Sequence, residues 1–211
     1  MTNEKQNILI AGANGTTGRI IVQLLKDSDT YWPIAMVRKQ EQKDRFEQEN
    51  VATVIADLEK DLSHAVKNAD KVIFAAGSKG KNVIGVDQDG AKGLVDAAKD
   101  AGIKKFVMLS TMGADNPSVS EEMEDYLKAK QNADEYLKAS GLDYTIVRPG
   151  SLTNEEGTGR ILLKKKIESF GKITRADVAK TLVGVLDDDV MKNQVFEILA
   201  GETLIKKAIT D

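Results

Sequence analysis

Short apolar runs recur along the chain, and polar, helix-forming stretches fill the gaps between them. The runs are NILIAG (7–12), IAMVR (34–38), ATVIAD (52–57), KVIFAAG (71–77), KFVMLST (105–111), YTIVRPG (144–150) and VFEILAG (195–201). Most are almost continuously apolar instead of alternating, the pattern of a strand covered on both faces. Between them the sequence predicts helices near 16–27, 41–49, 83–101, 121–139 and 174–187. Strand then helix, repeated, predicts an α/β fold: a doubly wound parallel sheet with helices on both faces. Proline occurs only at 33, 117 and 149 and no Pro/Ser-rich linker divides the chain, so a single domain over 1–211 is expected. From about 151 the pattern changes. NEEGTGR is a polar, glycine-containing loop, ILLKKKI follows it, and Lys164–Lys166 read most simply as a solvated face, with approach to an anionic ligand as the alternative. The segment 151–172 is expected to be a small lid on the substrate side. Thr174, with Asp177 three residues on, resembles the capped start of the last long helix.

Composition narrows the chemistry. With 41% hydrophobic and 30% charged residues the chain reads as soluble and globular. A net charge of −3 gives no electrostatic footprint for nucleic acid or an anionic membrane. No apolar run approaches a membrane span, and MTNEKQNILIAG leads from polar residues straight into a strand without a signal-peptide layout. There is no cysteine, so disulfides, thiolate nucleophiles and cysteine metal sites are excluded. These features together predict a cytoplasmic protein. The single histidine, His64, lies in the polar stretch DLSHAVKNAD and is expected at the surface. Ser-His-Asp hydrolysis and a histidine metal site therefore lack their parts, and no metal is expected. Acid–base chemistry has to come from Tyr, Lys, Asp, Glu or a cofactor.

The strongest motif is ILIAGANGTTGR. Gly12, Gly15 and Gly18 form G-x-x-G-x-x-G directly after the first strand and lead into a helix. Gly12 permits the tight turn, Gly15 a close approach of backbone to pyrophosphate, and Gly18 close helix–strand packing. The helix N-terminus offers unpaired N–H groups and a positive dipole end to phosphate. Asn14, Thr16, Thr17 and Arg19 complete the expected phosphate-side contacts. The alternative is a glycine-rich turn without a ligand. An acid about 20 residues further on binds the ribose hydroxyl in NAD enzymes. Here the second strand ends AMVRKQE, with Arg38 and Lys39 in that place. A guanidinium pairs a 2′-phosphate through two parallel hydrogen bonds, so NADP(H) is expected in preference to NAD(H), with Lys39 or Arg19 in support. Asp57 and Leu58, closing the third strand in IADLEKD, are expected at the adenine; a strand-end Asp is also a common turn cap.

YLKAK at 126–130 reads Tyr-x-x-x-Lys. At ~100° per residue, Met123, Lys130, Ala133 and Leu137 fall within roughly 60° of Tyr126 on an apolar, inward stripe. An inward lysine is unusual, because an unpartnered buried ammonium is costly. Lys130 can hydrogen-bond the nicotinamide ribose, and its charge favours a tyrosinate while Tyr126 passes a proton to or from a carbonyl or alcohol oxygen. Ser110, in MLSTMGAD, is placed to orient that oxygen, with Thr111 as the second hydroxyl. The near-copy YLKAS at 136–140 turns Tyr136 ~80° away, where packing suffices.

The segments GANGTTGR, AMVRKQEQK, ADLE, FAAGS, GVDQDGAKGLVDAAKDAGIKKFVMLST, YLKAKQNADEYLKASGLDYTIVRPG, NEEGTG and ITRADVAKTLVGVLDD together resemble the short-chain dehydrogenase/reductase superfamily. The likeness is greatest to its short atypical branch, which includes bacterial proteins labelled as NAD(P)-dependent sugar epimerases or dehydratases, and it spans nearly the whole chain. It implies a Rossmann fold with a bound dinucleotide. Ala75, Ala76 and Gly77 would lie beside the cofactor ribose, and Pro149, Gly150, Ser151 and Leu152 near the nicotinamide carboxamide. Ser110, Tyr126 and Lys130 match the catalytic Ser, Tyr and Lys of the family. The fourth catalytic position, usually Asn, is Asp87 in GVDQDG, which can hold a water or a lysine. Residues 151–211 leave little to enclose a UDP-sugar. A related small-reductase type, resembling the flavin and biliverdin-IX-beta reductases, commonly relies on a histidine that this chain lacks near Ser151. The expectation is therefore an NADP(H)-dependent oxidoreductase acting on a small carbonyl, alcohol or quinone-like substrate, with epimerase or dehydratase activity as a variant. The alternative is a non-catalytic dinucleotide sensor, which would have no need of an inward Tyr126 and Lys130. Either a monomer or a homodimer is compatible with the sequence.

Overall fold

The computed structural model describes residues 5–78 and 80–211; the first four residues of the polar lead-in lie outside them. Seven strands form the parallel part of the main sheet: β1 (Gln6–Ala11), β2 (Tyr31–Val37), β3 (Ala52–Ile55), β4 (Lys71–Phe74), β5 (Lys105–Leu109), β6 (Tyr144–Pro149) and β10 (Gln194–Ala200). Their order is β3-β2-β1-β4-β5-β6-β10. Each of the seven predicted runs is a strand, shifted or shortened by a few residues. Between β6 and β10 lie β7 (Ser151–Thr153), β8 (Arg160–Lys164) and β9 (Lys172–Thr174). β7 and β9 make a separate two-stranded ladder, while β8 pairs antiparallel with β10 and carries β11 (Thr203–Leu204) at the edge. The expected lid segment thus also extends the main sheet.

The helices are α1 (Thr16–Lys26), α2 (Gln40–Gln48), α3 (Gly90–Asp100), α4 (Glu124–Ala139), α5 (Arg175–Gly184) and the short α6 (Ile205–Ala208). The continuous apolar strands are explained by two cores. Ile8, Ile10, Ile73, Val107 and Val147 point to one face and pack with Ile21 and Leu25 of α1 and Val178 and Leu182 of α5. Their neighbours Leu9, Val72, Phe74, Phe106 and Ile146 point to the other, against Leu94 and Val95 of α3 and Leu137 of α4. Alternate side chains go to opposite faces, and both faces are covered.

Two boundaries differ from the prediction for a local reason. The helix predicted over 83–101 begins as a π-helical segment, Val83–Asp89, in which Asn82 Oδ1 accepts from the Gly85 N–H at 3.1 Å, and becomes α-helical at Gly90. The helix predicted from 121 is preceded by 3-10 turns, and α4 starts at Glu124. Met123 is therefore outside the helical phase and is 45% exposed. The capped start at Thr174 is as predicted: Thr174 Oγ1 accepts from the Asp177 N–H at 3.0 Å. No helix of the described residues is long and apolar enough to cross a membrane.

The chain runs outward through β1, β2 and β3, then returns to place β4 on the other side of β1. That reversal leaves a crevice at the carboxyl ends of β1 and β4, where ligands bind in open α/β sheets.

Candidate functional site

At the crevice, the glycine turn fits a phosphate group. Gly12 has φ +90°, and a Cβ there would lie 2.6 Å from the Ala76 nitrogen. A Cβ on Gly18 would collide with the Gly12 carbonyl. These two positions need glycine for conformation and close approach. α1 starts with Gly15 as N-cap, no side chain caps it, and its first turn holds no acid. Gly15 and Thr16 are exposed while Thr17 and Gly18 are buried. An 11-residue helix thus presents uncapped N–H groups with no competing carboxylate. Arg19 turns back on the loop: its Nη2 donates to Asn14 Oδ1 at 2.6 Å.

Arg38 and Lys39 are exposed just past β2. The backbone N–H of Arg38 donates to Gln42 Oε1 at 3.1 Å, but the guanidinium has no hydrogen-bond or ion-pair partner among the described residues. Lys39 makes one exposed ion pair with Glu41, at 3.7 Å. Asp57 forms an Asx turn, accepting from the Glu59 N–H at 3.2 Å, and Leu58 packs on the core near Gly90. Ala75, Ala76 and Gly77 continue β4 beside Gly12. Pro149 is buried, and Gly150, Ser151 and Leu152 continue past β6. The Ser151 N–H donates to the Gly171 carbonyl at 2.9 Å.

The second cluster sits on the α4 face of the sheet. Lys130 is 3% exposed and Asp87 1%. Lys130 Nζ lies 3.4 Å from Asp87 Oδ1 and 3.5 Å from the Leu109 carbonyl oxygen. It also stands 5.8 Å from the Tyr126 ring centroid and 5.9 Å from that of Phe74. Asp87 Oδ2 accepts from the Ser78 N–H at 2.9 Å. Tyr126 is half-buried and forms part of the wall of a cavity of about 650 Å³ between the π-helical segment and α4, with Val83, Ile84, Gln88, Ala129 and Asn132. The cavity does not include the glycine turn; Tyr126 alone of the predicted site residues borders it. Tyr136 is separate, exposed and donating to Asp96 Oδ1 at 2.7 Å. Its phenol is raised above the ordinary tyrosine range by that hydrogen bond. His64 is exposed, its Nε2 2.9 Å from the Ile55 carbonyl. Among the described residues no cluster of three or more His, Asp or Glu could hold a metal.

Ser110 sits at the end of β5 and is buried. Its hydroxyl donates to Asp134 Oδ2 at 2.8 Å. The same oxygen accepts from Arg148 Nε at 3.0 Å and forms an ion pair with Nη2 at 2.9 Å. Burial pushes the Asp134 carboxyl up, against the pull of Arg148, Ser110 and Lys130. Thr111 is half-buried, and its hydroxyl donates only a long bond, 3.4 Å, to the Met112 carbonyl. Sequence reading overlooked Asp134 and Arg148. Their signal was present: Tyr126, Lys130 and Asp134 repeat at one-turn spacing, and Arg148 interrupts an apolar strand.

A model of the NAD(P)H-binding family matches residues 12–189 of the chain. A protein of Bacillus subtilis (strain 168), "Uncharacterized sugar epimerase YhfK", is 41% identical over 210 residues, covering 96% of this chain and 98% of its own. A solved structure from Bacillus halodurans, provisionally named as an NAD-dependent epimerase/dehydratase, is similar with a TM-score of 0.92 at 40% identity, covering 97% of this chain and 98% of that one. The oxidoreductase ylbE from Lactococcus lactis follows the same fold with a TM-score of 0.86 at 33% identity, covering 96% and 94% of the two chains.

Proposed function

Because the chain belongs to the NAD(P)H-binding family, we propose that it is an NADP(H)-dependent oxidoreductase acting on a small carbonyl or alcohol, with Tyr126 handling the proton at the substrate oxygen. The observation that carries this reading is Lys130. It is buried one helical turn after Tyr126 and, among the described residues, its polar contacts are at 3.4 and 3.5 Å, while Tyr126 borders an open cavity. The dinucleotide, when bound, supplies or accepts the hydride. Gly12, Gly15 and Gly18, with Asn14, Thr16 and Thr17, would hold its pyrophosphate. Arg38, whose guanidinium is unengaged among the described residues, would pair the 2′-phosphate with Lys39 beside it. Arg19 is the weaker candidate for that role, since it already binds Asn14. Asp57 and Leu58 would border the adenine, Ala75–Gly77 the ribose, and Pro149–Leu152 the carboxamide.

Lys130 is suited to two tasks. It can donate to a ribose hydroxyl, and its charge favours negative charge on the Tyr126 oxygen during proton transfer. Asp87 holds Lys130 in place from the π-helical segment. Sugar epimerisation through a transient keto sugar would use the same Tyr126 and Lys130, so that variant differs in substrate and not in machinery.

The test is NADPH consumption over a panel of aldehydes, quinones and flavins, with Tyr126→Phe alongside. Loss of about 10²–10⁴ in turnover, with NADPH affinity retained, is expected for removal of a positioned proton donor. Turnover surviving intact in Tyr126→Phe would sink the mechanism. NADPH binding without turnover on any member of the panel would favour a dinucleotide sensor.

A further inference from the structure

The geometry points to Gln42 as a further specificity-determining residue: a neutral donor beside Arg38 and Lys39 that completes the binding place of the dinucleotide 2′-phosphate. This rests on the reading above that Arg38 pairs that phosphate. Gln42 lies in the first turn of α2 and reaches back to the chain that leaves β2. Its Oε1 accepts from the backbone N–H of Arg38 at 3.1 Å and from that of Lys39 at 3.3 Å. The Gln42 N–H donates in turn to the Lys39 carbonyl at 3.1 Å. One residue is thus tied to both of those that carry the cations. The two backbone donors decide which end of the carboxamide is which. Only the oxygen can meet an N–H, so the NH2 group points the other way. Among the described residues that group donates to nothing, and Gln42 is half-buried, not enclosed.

The same bonds change what the turn offers an anion. The N–H groups of Arg38 and Lys39 are spent on Gln42, so a phosphate there is held by side chains. The neighbouring acids are already matched: Glu41 faces Lys39 at 3.7 Å and Glu47 faces Lys43 at 3.6 Å. The Arg38 guanidinium and the Gln42 NH2 remain as the donors without a partner among the described residues. A backbone fixed at 38 and 39 also starts both long side chains from set places, which lowers the cost of ordering them on binding. Glutamine and glutamate share a shape and an acceptor oxygen, and they differ at one atom. Glutamate at 42 would keep both backbone N–H bonds, remove the NH2 donor and set a negative charge against a 2′-phosphate. NADH carries a hydroxyl in that place, which can donate to a carboxylate. Residue 42 therefore discriminates by repulsion as well as by attraction.

The experiment is fluorescence titration of the full chain with NADPH and with NADH, and urea unfolding in parallel. Gln42→Glu should cut the preference for NADPH over NADH by about tenfold or more, the scale of a charge-assisted hydrogen bond. Its urea midpoint should hold or rise, because the cap is kept and a carboxylate suits a helix start. Gln42→Ala adds no charge and should cut the preference less, by about threefold, as loss of one neutral donor implies. Its midpoint should fall with the loss of the cap. A preference in Gln42→Glu within about twofold of the parent's, at retained stability, overturns the assignment. An equal loss of affinity for both dinucleotides in that variant also overturns it and leaves Gln42 as a cap alone. Arg38→Asp separates the outcomes. Preference lost in Arg38→Asp but kept in Gln42→Glu strikes Gln42 and spares the functional reading. A parent that binds NADH as tightly as NADPH strikes the 2′-phosphate reading, and the role of Gln42 falls with it.

Discussion

The parallel sheet buries lysines at both of its ends, and the two ends treat them differently. At the amino end Lys71 and Lys105 are register neighbours on β4 and β5, 1% and 0% exposed. Lys71 Nζ donates to the Leu186 carbonyl at 2.6 Å and pairs with Asp188 at 2.7 Å. Lys105 Nζ donates to the carbonyls of Asp187 and Val190, both at 2.6 Å. Tyr31 joins them by donating to Asp187 Oδ1 at 2.6 Å. These carbonyls follow the C-terminus of α5, where unpaired carbonyls and the negative dipole end favour a cation. At the carboxyl end Lys130 is equally buried but makes no contact shorter than 3.4 Å among the described residues. Around it, among the described residues, Ser78 Oγ, Asp87 Oδ1 and Asp134 Oδ1 have no hydrogen-bond partner, Asp87 Oδ1 meeting the Lys130 ammonium only as an ion pair at 3.4 Å. Burial of a lysine alone therefore does not mark a site. What sets Lys130 apart is the unused hydrogen-bonding capacity around it, because unmet polar groups in a core are costly.

Lys130→Met should break the comparison most visibly. Turnover should fall by about 10²–10⁴, far beyond what any change in the folded fraction explains, read as NADPH consumption below the melting transition. Lys105→Met should do the reverse, costing about 1–3 kcal/mol in urea unfolding by stranding two carbonyls, with turnover per folded molecule unchanged. If Lys105→Met silenced the enzyme at full stability, the two ends would not be distinct. Arg38→Asp tests a third cation, exposed and without a side-chain partner among the described residues. Preference for NADPH over NADH should fall by about tenfold or more, as loss of a charge-assisted pair implies, measured by titration of both dinucleotides. An unchanged preference would remove Arg38 as the reader of the 2′-phosphate.

The smallest effect is in pH. Burial, with the Lys71 charge second, pushes the Lys105 ammonium down to about 8. An unfolded lysine titrates near ~10.4. Between those values the unfolded chain holds a proton that the folded chain has released. Lys105 thus makes stability rise with pH in that window and contributes no slope below it. Tyr31, raised by burial and by Asp187, opposes this only above ~10, where an unfolded tyrosine ionises. Urea midpoints from pH 7.5 to 9.5, compared with Lys105→Met, should show the parent gaining relative to the variant. A flat difference would mean that Lys105 stays charged throughout.

Much of this was legible in the sequence. Apolar runs located the seven parallel strands, because a strand with both faces covered tolerates few polar residues. The glycine spacing located the tight turn between β1 and α1, because Gly12 and Gly18 leave no room for a Cβ beside neighbouring backbone. The phase of α4 placed Lys130 inward. What escaped depended on distant partners. Lys71 and Lys105 looked like strand-start residues, since Asp188 and the carbonyls that follow α5 lie more than 80 residues away in sequence. Lys166 belonged to an apparently solvated run, but its ammonium reaches Asp115 and Glu197. β8 escaped because its partner, β10, comes later in the chain and pairs antiparallel. Asp134 was visible as an acid on the inner side of α4, yet only Ser110 and Arg148 explain its place.

The wide turns of the π-helical segment carry Asp87 to Lys130 immediately before α3 becomes regular. A π turn differs from an α turn by one inserted residue. Deleting a single codon from 83–86 would let the segment relax into an unbroken α-helix and rotate Asp87 by about 100° off Lys130, leaving the two cores of the sheet untouched. The pairing of Asp87 with Lys130 is therefore more easily lost by inheritance than the fold that houses it, and related chains could part ways here while remaining superimposable everywhere else.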